Sequence, residues 1–280
     1  MDYKKFWDDI SAIETVDYDD EYINRALRFR LLEENLAGVE TILDVGAGTG
    51  AFSIPLARKG YKVTHFDISP EMIKLAREKA GDIPNISFIE GDASSLPFDD
   101  DSFDLVICFD GAISFSGRNA DKVLSEIIRT GRKILISASN KGCMSATWLN
   151  YSISGKNTIH PSVRNMLEKG FFDKSDYDDA DELTAIKELR AYTPKELRGI
   201  LEAKDLEVTD CRSIGSLTHL YLMHLYRSFS GDEVNKKINE ISRDPEFIDL
   251  CDYFDRYVMP EGPGSFRRAG IIASAHKRTV

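Results

Sequence analysis

Four aspartates, each placed just past or near the end of a short apolar run, are the residues in this sequence best spaced to do chemistry together. Asp44 sits among Ile42, Leu43 and Val45 and is followed by Gly46-Ala47-Gly48-Thr49-Gly50. Glycine permits positive φ and leaves no Cβ, so a ligand can lie against such a backbone. The apolar segment Ala51–Lys59 follows, and the first N–H groups of a helix there have no partner inside it. The stretch therefore predicts a strand, a glycine turn and a helix start. The dinucleotide fingerprint spaces its glycines G-x-G-x-x-G to fit a pyrophosphate. This loop reads G-x-G-x-G, with a carboxylate just ahead of it. A carboxylate there repels a pyrophosphate and attracts a cation, such as the ammonium of an amino acid.

The other three aspartates fall at comparable places. Asp67 ends the run Lys62–Asp67, where an acidic residue of an α/β fold hydrogen-bonds ribose hydroxyls. Asp92 follows Ile86–Glu90 and Gly91, and Asp110 follows Phe103–Phe109. Ligands of open α/β sheets bind outside the carboxyl ends of the strands, and all four aspartates are predicted at such ends. Read together, DVGAGTG, FDISPEMIKLAREKA, Gly91-Asp92-Ala93 and SSLPFDDDSFDLVIC resemble the class I S-adenosylmethionine-dependent methyltransferases, with a type 11-like domain.

The resemblance implies an α/β, Rossmann-like fold: a doubly wound, seven-stranded, mostly parallel sheet with an antiparallel last strand. It implies S-adenosyl-L-methionine as cofactor and S-adenosyl-L-homocysteine as its product. Asp44, Gly46, Ala47, Gly48 and Gly50 would hold the methionine end. Asp67 would take the ribose and Asp92 would accept from the adenine amino group, with Ile68, Met72 and Ala93 as further cofactor-binding residues. Phe109 would border the cofactor, and Asp110 would lie closest to the transferring methyl.

The elements that must hold these residues follow from local pattern. Residues 1–40 read as leading helices: Phe6, Trp7, Ile10 and Ile13 recur at helical spacing, and Leu27, Leu31 and Leu36 mark a second amphipathic run. These helices either cover the cofactor or simply pack on the sheet, and Tyr18, Tyr22, Arg25 and Arg28 are the side chains that could meet its carboxylate. Ser69-Pro70 opens a helix with a cap and a first-turn proline. His65 falls inside a strand and reads as packed or at an edge. A helix near Ala120–Arg129, a short turn at Thr130-Gly131-Arg132 and a strand at Lys133–Ala138 complete the first half.

Two stretches break the alternation. Residues 140–191 read as an insertion, either a lid or substrate wall or a peripheral addition. Thr193-Pro194-Lys195-Glu196 is a capping box that restarts the sheet pattern, with a helix to Ala203 and a strand at Leu206–Arg212. Residues 215–255 read as a second, helical insertion, and Gly270–Ala275 as the last strand. The whole is read as one domain over 1–280.

Composition narrows the function. The 280 residues are 42% hydrophobic, enough for one sizeable core. The net charge is -11, which disfavours nucleic acid and anionic lipid as partners. The reading is a small-molecule substrate and no membrane, with the oligomeric state left open. The start MDYKKFWDDI is no signal peptide. Cys108, Cys143, Cys211 and Cys251 are scattered, without a CxxC. They predict reduced thiols, a cytoplasmic protein and no metal site.

A sulfonium methyl is already electrophilic, so the protein mainly has to align a nucleophile and exclude water. A base is needed only where an oxygen or nitrogen nucleophile must lose a proton. Asp110, His160 and His219 are the candidates, with Tyr151 and Tyr192 behind them. The expected reaction is direct in-line methyl transfer. The alternatives are cyclisation or lysis of S-adenosylmethionine itself, or a cofactor-binding subunit without turnover.

Overall fold

The computed structural model describes residues 19–109, 111–156, 158–179, 184–265 and 270–278. The leading stretch 1–18, with Phe6, Trp7, Ile10, Ile13 and Tyr18, lies outside the described residues, and so does Asp110. The first described element is helix α1, Asp19–Glu34.

The strands expected to carry the aspartates form as read. Strand β1 is Thr41–Val45 and β2 is Lys62–Asp67. Strand β3 is Ile86–Glu90 and β4 is Phe103–Cys108. They lie parallel in the order β3-β2-β1-β4, with β5 (Gly131–Asn140) beside β4. Between them run α2 (Ser53–Arg58), α3 (Pro70–Ala80), α4 (Ala112–Phe115) and α5 (Ala120–Thr130). Helix α3 starts as its sequence dictates: the Ser69 hydroxyl accepts from Met72 N–H, and Pro70 spends its missing N–H at the first position.

The expected turn at 130–132 is absent, because α5 runs directly into β5. Strand β5 is also longer than Lys133–Ala138. Its extra residues Ser139 and Asn140 pair with Ala191 and Tyr192 of β7 (Glu188–Tyr192). Strand β7 in turn pairs antiparallel with β6, Phe171–Asp173. The sheet is therefore nine-stranded among the described residues, not seven. The two extra strands come from the stretch 140–191, whose remainder is α6 (Lys141–Lys156) and α7 (Pro161–Lys169). These pieces share a small core of Met144, Trp148, Val163, Met166, Phe172 and Leu189.

The sheet resumes with α8 (Pro194–Glu202), started by the full Thr193–Glu196 capping box, and β8 (Leu206–Ser213). Helices α9 (Ser216–Ser228), α10 (Gly231–Ile241) and α11 (Pro245–Tyr253) follow, and α11 continues as a π-helical turn, Phe254–Val258. Strand β9 (Ile271–Lys277) then inserts antiparallel between β5 and β8.

Each face of the sheet is covered. Leu43, Val106, Ile136 and Ala273 face α5 and α8, while Ile42, Leu105, Leu135 and Ile272 face α1, α2 and α11. This alternation of side chains is the period-2 geometry of strands buried on both faces. Helix α1 runs against the strand direction. Asn24 bonds Ser265 beyond the carboxyl end of β8, and Asn35 accepts from Lys133 near the amino end of β5.

Candidate functional site

The carboxyl edge of the sheet is assembled by register. Gly46 N–H and Ala47 N–H both donate to Phe66 O, at 2.8 and 3.1 Å, which folds the glycine loop back over the end of β2. Gly48 N–H then donates to Asp67 Oδ2 at 2.8 Å, while Ser69 N–H donates to Asp67 Oδ1 at 2.9 Å. One buried carboxylate thus ties the loop after β1 to the helix start after β2. A carboxylate is an acceptor with about four lone-pair sites, the chemistry that ribose hydroxyls require. Gly91 N–H donates to Asp67 O at 2.9 Å, bringing Asp92 alongside.

The loop glycines have different tasks. Gly46 has φ +70°, and a Cβ there would lie 2.7 Å from Ala112 Cβ, so the loop packs against α4. Gly48 has φ +54° and nothing within 4 Å of where its Cβ would be. Only there does the loop turn an open backbone outward. That cradle, between Asp44 and Asp67, suits a flexible cationic chain joined to a ribose. The donor set therefore fits the S-adenosylmethionine that the sequence implies.

The expected cofactor residues are mostly gathered here. Asp44 is buried near the end of β1, in register with His65 of β2 and Ile107 of β4. Asp92 is exposed, and one of its oxygens accepts from Ser94 N–H at 2.8 Å in a local turn. Ile68 and Ala93 are half-buried beside Asp67 and Asp92, and Met72 is buried in α3. Phe109 is buried, its ring in an aromatic file with Phe52 and Phe29, centroids 4.8 Å apart at each step. It supports the loop from the α1 side of the sheet.

The candidate bases separate. His160 is buried as the cap of α7, its Nδ1 accepting from Ser162 N–H at 3.1 Å. Its Nε2 lies 2.9 Å from Asp179, and its ring meets Tyr177 edge-on at 5.0 Å. Both ring nitrogens are engaged inside the 140–191 unit. His219 lies in the first turn of α9, half-buried, and burial lowers its pKa. His65 is packed, as expected: it sits in an interior strand against the Ser53 hydroxyl at 2.8 Å, and burial pulls its pKa down to about 4. Tyr192 is buried, and desolvation pushes its phenol up to about 12. Tyr151 packs beside Trp148.

Three residues at this edge, Asn24, Gly215 and Asp255, carry roles that the sequence did not signal. Asn24 and Gly215 meet where α1 crosses the end of β8; a Cβ on Gly215 would lie 2.4 Å from Asn24 Oδ1. Asp255, buried in the π-helical turn, accepts from Gly215 N–H at 2.7 Å and Ser216 N–H at 3.1 Å and so caps α9. Nothing in DYFDRYV distinguishes this aspartate from a solvated helical charge. Arg28, wholly buried one turn after Asn24, pairs with Glu21 at 3.3 Å. Arg28 is one of the four side chains that the sequence offers for the cofactor carboxylate.

All four cysteines are buried and none is in a disulfide, and desolvation pushes the Cys143 and Cys211 thiols up to about 12 and Cys251 up to about 11. Among the described residues, no cluster of His, Cys, Asp and Glu could hold a metal ion, and no helix is long and apolar enough to cross a membrane.

With this geometry in hand, the comparisons are direct. A family model described as a methyltransferase domain matches residues 42–133. The demethylmenaquinone methyltransferase of Renibacterium salmoninarum is 36% identical over 140 residues, covering 47% of this chain and 56% of that protein. The chain spans about half, or less, of the length of the curated relatives it matches. The CcbJ methyltransferase from Streptomyces caelestis aligns with a TM-score of 0.56 at 13% identity, covering 100% of both chains. A S-adenosylmethionine-dependent methyltransferase from Methanosarcina mazei aligns at 0.53 with 18% identity, covering 89% of this chain and 98% of that one. Identities this low speak for the fold alone.

Proposed function

From the match of residues 42–133 to a methyltransferase-domain family model, we propose that this chain is a class I S-adenosylmethionine-dependent methyltransferase that transfers the cofactor's methyl group to a small-molecule acceptor. One observation carries the reading. Asp67 clamps the glycine loop through Gly48 N–H, beside the single loop position that has open space around it. When bound, the cofactor supplies an electrophilic methyl on a sulfonium. The chain's own part is to hold that group, align a nucleophile and keep water out.

Asp44 faces the ammonium end, Asp67 the ribose hydroxyls and Asp92 the adenine edge. Arg28, buried where α1 approaches the carboxyl edge, is the cation we assign to the cofactor carboxylate. The acceptor side is bounded by α4, by the 140–191 unit and by the start of α9, most of which fall outside the matched 42–133. The acceptor is therefore set by this chain's own walls, and demethylmenaquinone, which the relatives' name indicates, is one small molecule to test. His219 is the base we retain. Its lowered pKa keeps the imidazole neutral near pH 7, ready to take a proton from an oxygen or nitrogen nucleophile.

The test is calorimetric titration with S-adenosylhomocysteine, with NADH as comparison. Micromolar binding of the first alone is the expected result, and a preference for NADH would overturn the reading. A screen of candidate acceptors with S-adenosylmethionine then separates the reaction classes. Homocysteine-type product marks methyl transfer, whereas methylthioadenosine marks the cyclase or lyase alternative.

A further inference from the structure

One polar pair interrupts the apolar layer beneath the glycine loop. Ile42, Val63 and Leu105 make this face of the sheet apolar, and Phe52, Leu56 and Ala57 at the start of α2 cover it. His65 lies on the same face, one alternation beyond Val63 and one before Asp67. Its register partner on β1 is Asp44, so the imidazole stands behind the two aspartates of the cradle. Ser53, the first residue of α2, places its Oγ 2.8 Å from His65 Nδ1, and both side chains are wholly buried. Two apolar side chains of the same shape would fill this space at no greater cost. The polar pair therefore calls for a task that an apolar pair cannot perform.

That task concerns Gly48, the loop position with open space around it. The Gly48 N–H is already held by Asp67. The Gly48 backbone also bears on His65, where it favours the protonated ring. Only an acceptor can do so, which makes the Gly48 carbonyl the group that the ring faces. Nδ1 is engaged with Ser53, and Nε2 is left for the carbonyl. Nε2 is buried and completes no hydrogen bond among the described residues. Burial holds the ring neutral, together with the Arg77 guanidinium, which lies over Phe88 at 4.7 Å while the Phe88 ring lies 5.0 Å from His65. A neutral imidazole whose Nδ1 accepts from a hydroxyl carries its proton on Nε2. A donor thus stands beneath Gly48 with its bond still to be made.

We propose that His65 is a positioning residue for the cofactor: its Nε2–H, oriented by Ser53, takes the Gly48 carbonyl as the loop closes on S-adenosylmethionine, so that β2 grips Gly48 by both its N–H and its C=O. The inference rests on the methyltransferase reading and adds to it a residue behind the cradle.

The test is calorimetric titration of the whole chain with S-adenosylhomocysteine, with melting temperature read in parallel. His65→Leu fills the space without a donor. It should weaken binding about fivefold, the equivalent of one hydrogen bond between neutral groups, while the melting temperature holds or rises. His65→Gln returns an N–H donor and should recover most of the affinity. A merely structural His65 gives the opposite pattern, a lower melting temperature in both variants at wild-type affinity, and would overturn the proposal. So would a glutamine variant as weak as the leucine one. Nitrogen-15 histidine spectra of the wild-type chain near pH 7 should show a neutral ring protonated at Nε2, its proton moving downfield as S-adenosylhomocysteine is added. These spectra decide where a variant does not fold, and a proton on Nδ1, or no movement at saturation, refutes the assignment. A wild-type chain that binds no S-adenosylhomocysteine overturns the methyltransferase reading and this inference together. Wild-type binding that His65→Leu leaves unchanged removes the inference alone.

Discussion

At the scale of single residues, the cradle hangs on Asp67. Its two oxygens take Gly48 N–H and Ser69 N–H, and both bonds are charge-assisted. Hydrogen bonds to a charged group contribute about 1.5–3 kcal/mol each. Asp67→Ala removes both anchors together with the assigned ribose acceptor. It should weaken S-adenosylhomocysteine binding by at least about tenfold, since about 1.4 kcal/mol is a factor of ten. Asp67→Asn keeps one acceptor and should fall between wild type and alanine. Calorimetry that found wild-type affinity in the alanine variant would remove Asp67 from the site. Gly46 is held by space as well as by φ. Gly46→Ala sets a methyl 2.7 Å from Ala112 Cβ at φ +70°, and should cost about 1–3 kcal/mol in denaturant unfolding. His219 is tested by the opposite pattern. His219→Gln should leave cofactor affinity unchanged and slow single-turnover methyl transfer to an oxygen or nitrogen acceptor by about 10²–10⁴-fold. A change in cofactor affinity instead would make it a binding residue.

At the scale of elements, the start of α9 depends on a carboxylate that prefers its proton. Asp255 is buried against Gly215 N–H and Ser216 N–H, with Arg212 and Asp252 nearby. Desolvation raises its pKa from 3.8 to about 7. Between those two values the folded chain binds more protons than the unfolded one, so this contribution is fullest below about pH 4 and is lost as pH rises through 7. His65 acts in the other direction. Its folded pKa of about 4 lies below the ordinary 6.5, so its contribution is present above 6.5 and is lost as pH falls toward 4. The two slopes oppose, and a pH scan of the wild type alone would show little. The informative quantity is the difference from Asp255→Asn. Relative to the variant, the wild type should lose melting temperature between pH 5 and 8, and a constant difference would refute the shift. The same elements show what the sequence could disclose. Strands β2 and β3 were readable to the residue, because each is an apolar run closed by a turn or cap. The 140–191 unit was not. Its strands are a three-residue FFD and a charged ELRAY, and helix α6 buries its apolar side in a local core rather than on the sheet. His160 looked available for the same reason, since nothing local announced Ser162 and Asp179 as its partners. At the cradle, Asp44, Asp67 and the glycines were legible because they are near in sequence to the turns they make. Asp255 was not, because its partners lie about forty residues away in the chain.

At the scale of the whole molecule, the last strand decides whether the two halves are one body. Strand β9 lies between β5 and β8, pairing from Lys133–His276 to Ala138–Ile271 on one side and from Leu206–Lys277 to Ser213–Ile271 on the other. It also supplies both faces of the core: Ile271, Ala273 and Ala275 face α5 and α8, while Ile272 joins α1 and α11. These four side chains are wholly buried. A chain ended after Ser265 keeps every residue of the 42–133 match and every aspartate of the cradle. It loses the only link between β5 and β8 in the described sheet. The inner edges of those strands would then present unpaired N–H and C=O groups beside an uncovered apolar surface, the condition that drives strand edges to aggregate. The expected outcome is a shortened chain that is insoluble, or soluble without a cooperative thermal transition and without S-adenosylhomocysteine binding. If it instead unfolds cooperatively and still binds the homologue, the methyltransferase domain is an autonomous half. Strand β9 would then serve only to attach the α8–α11 region, rather than to close a single sheet.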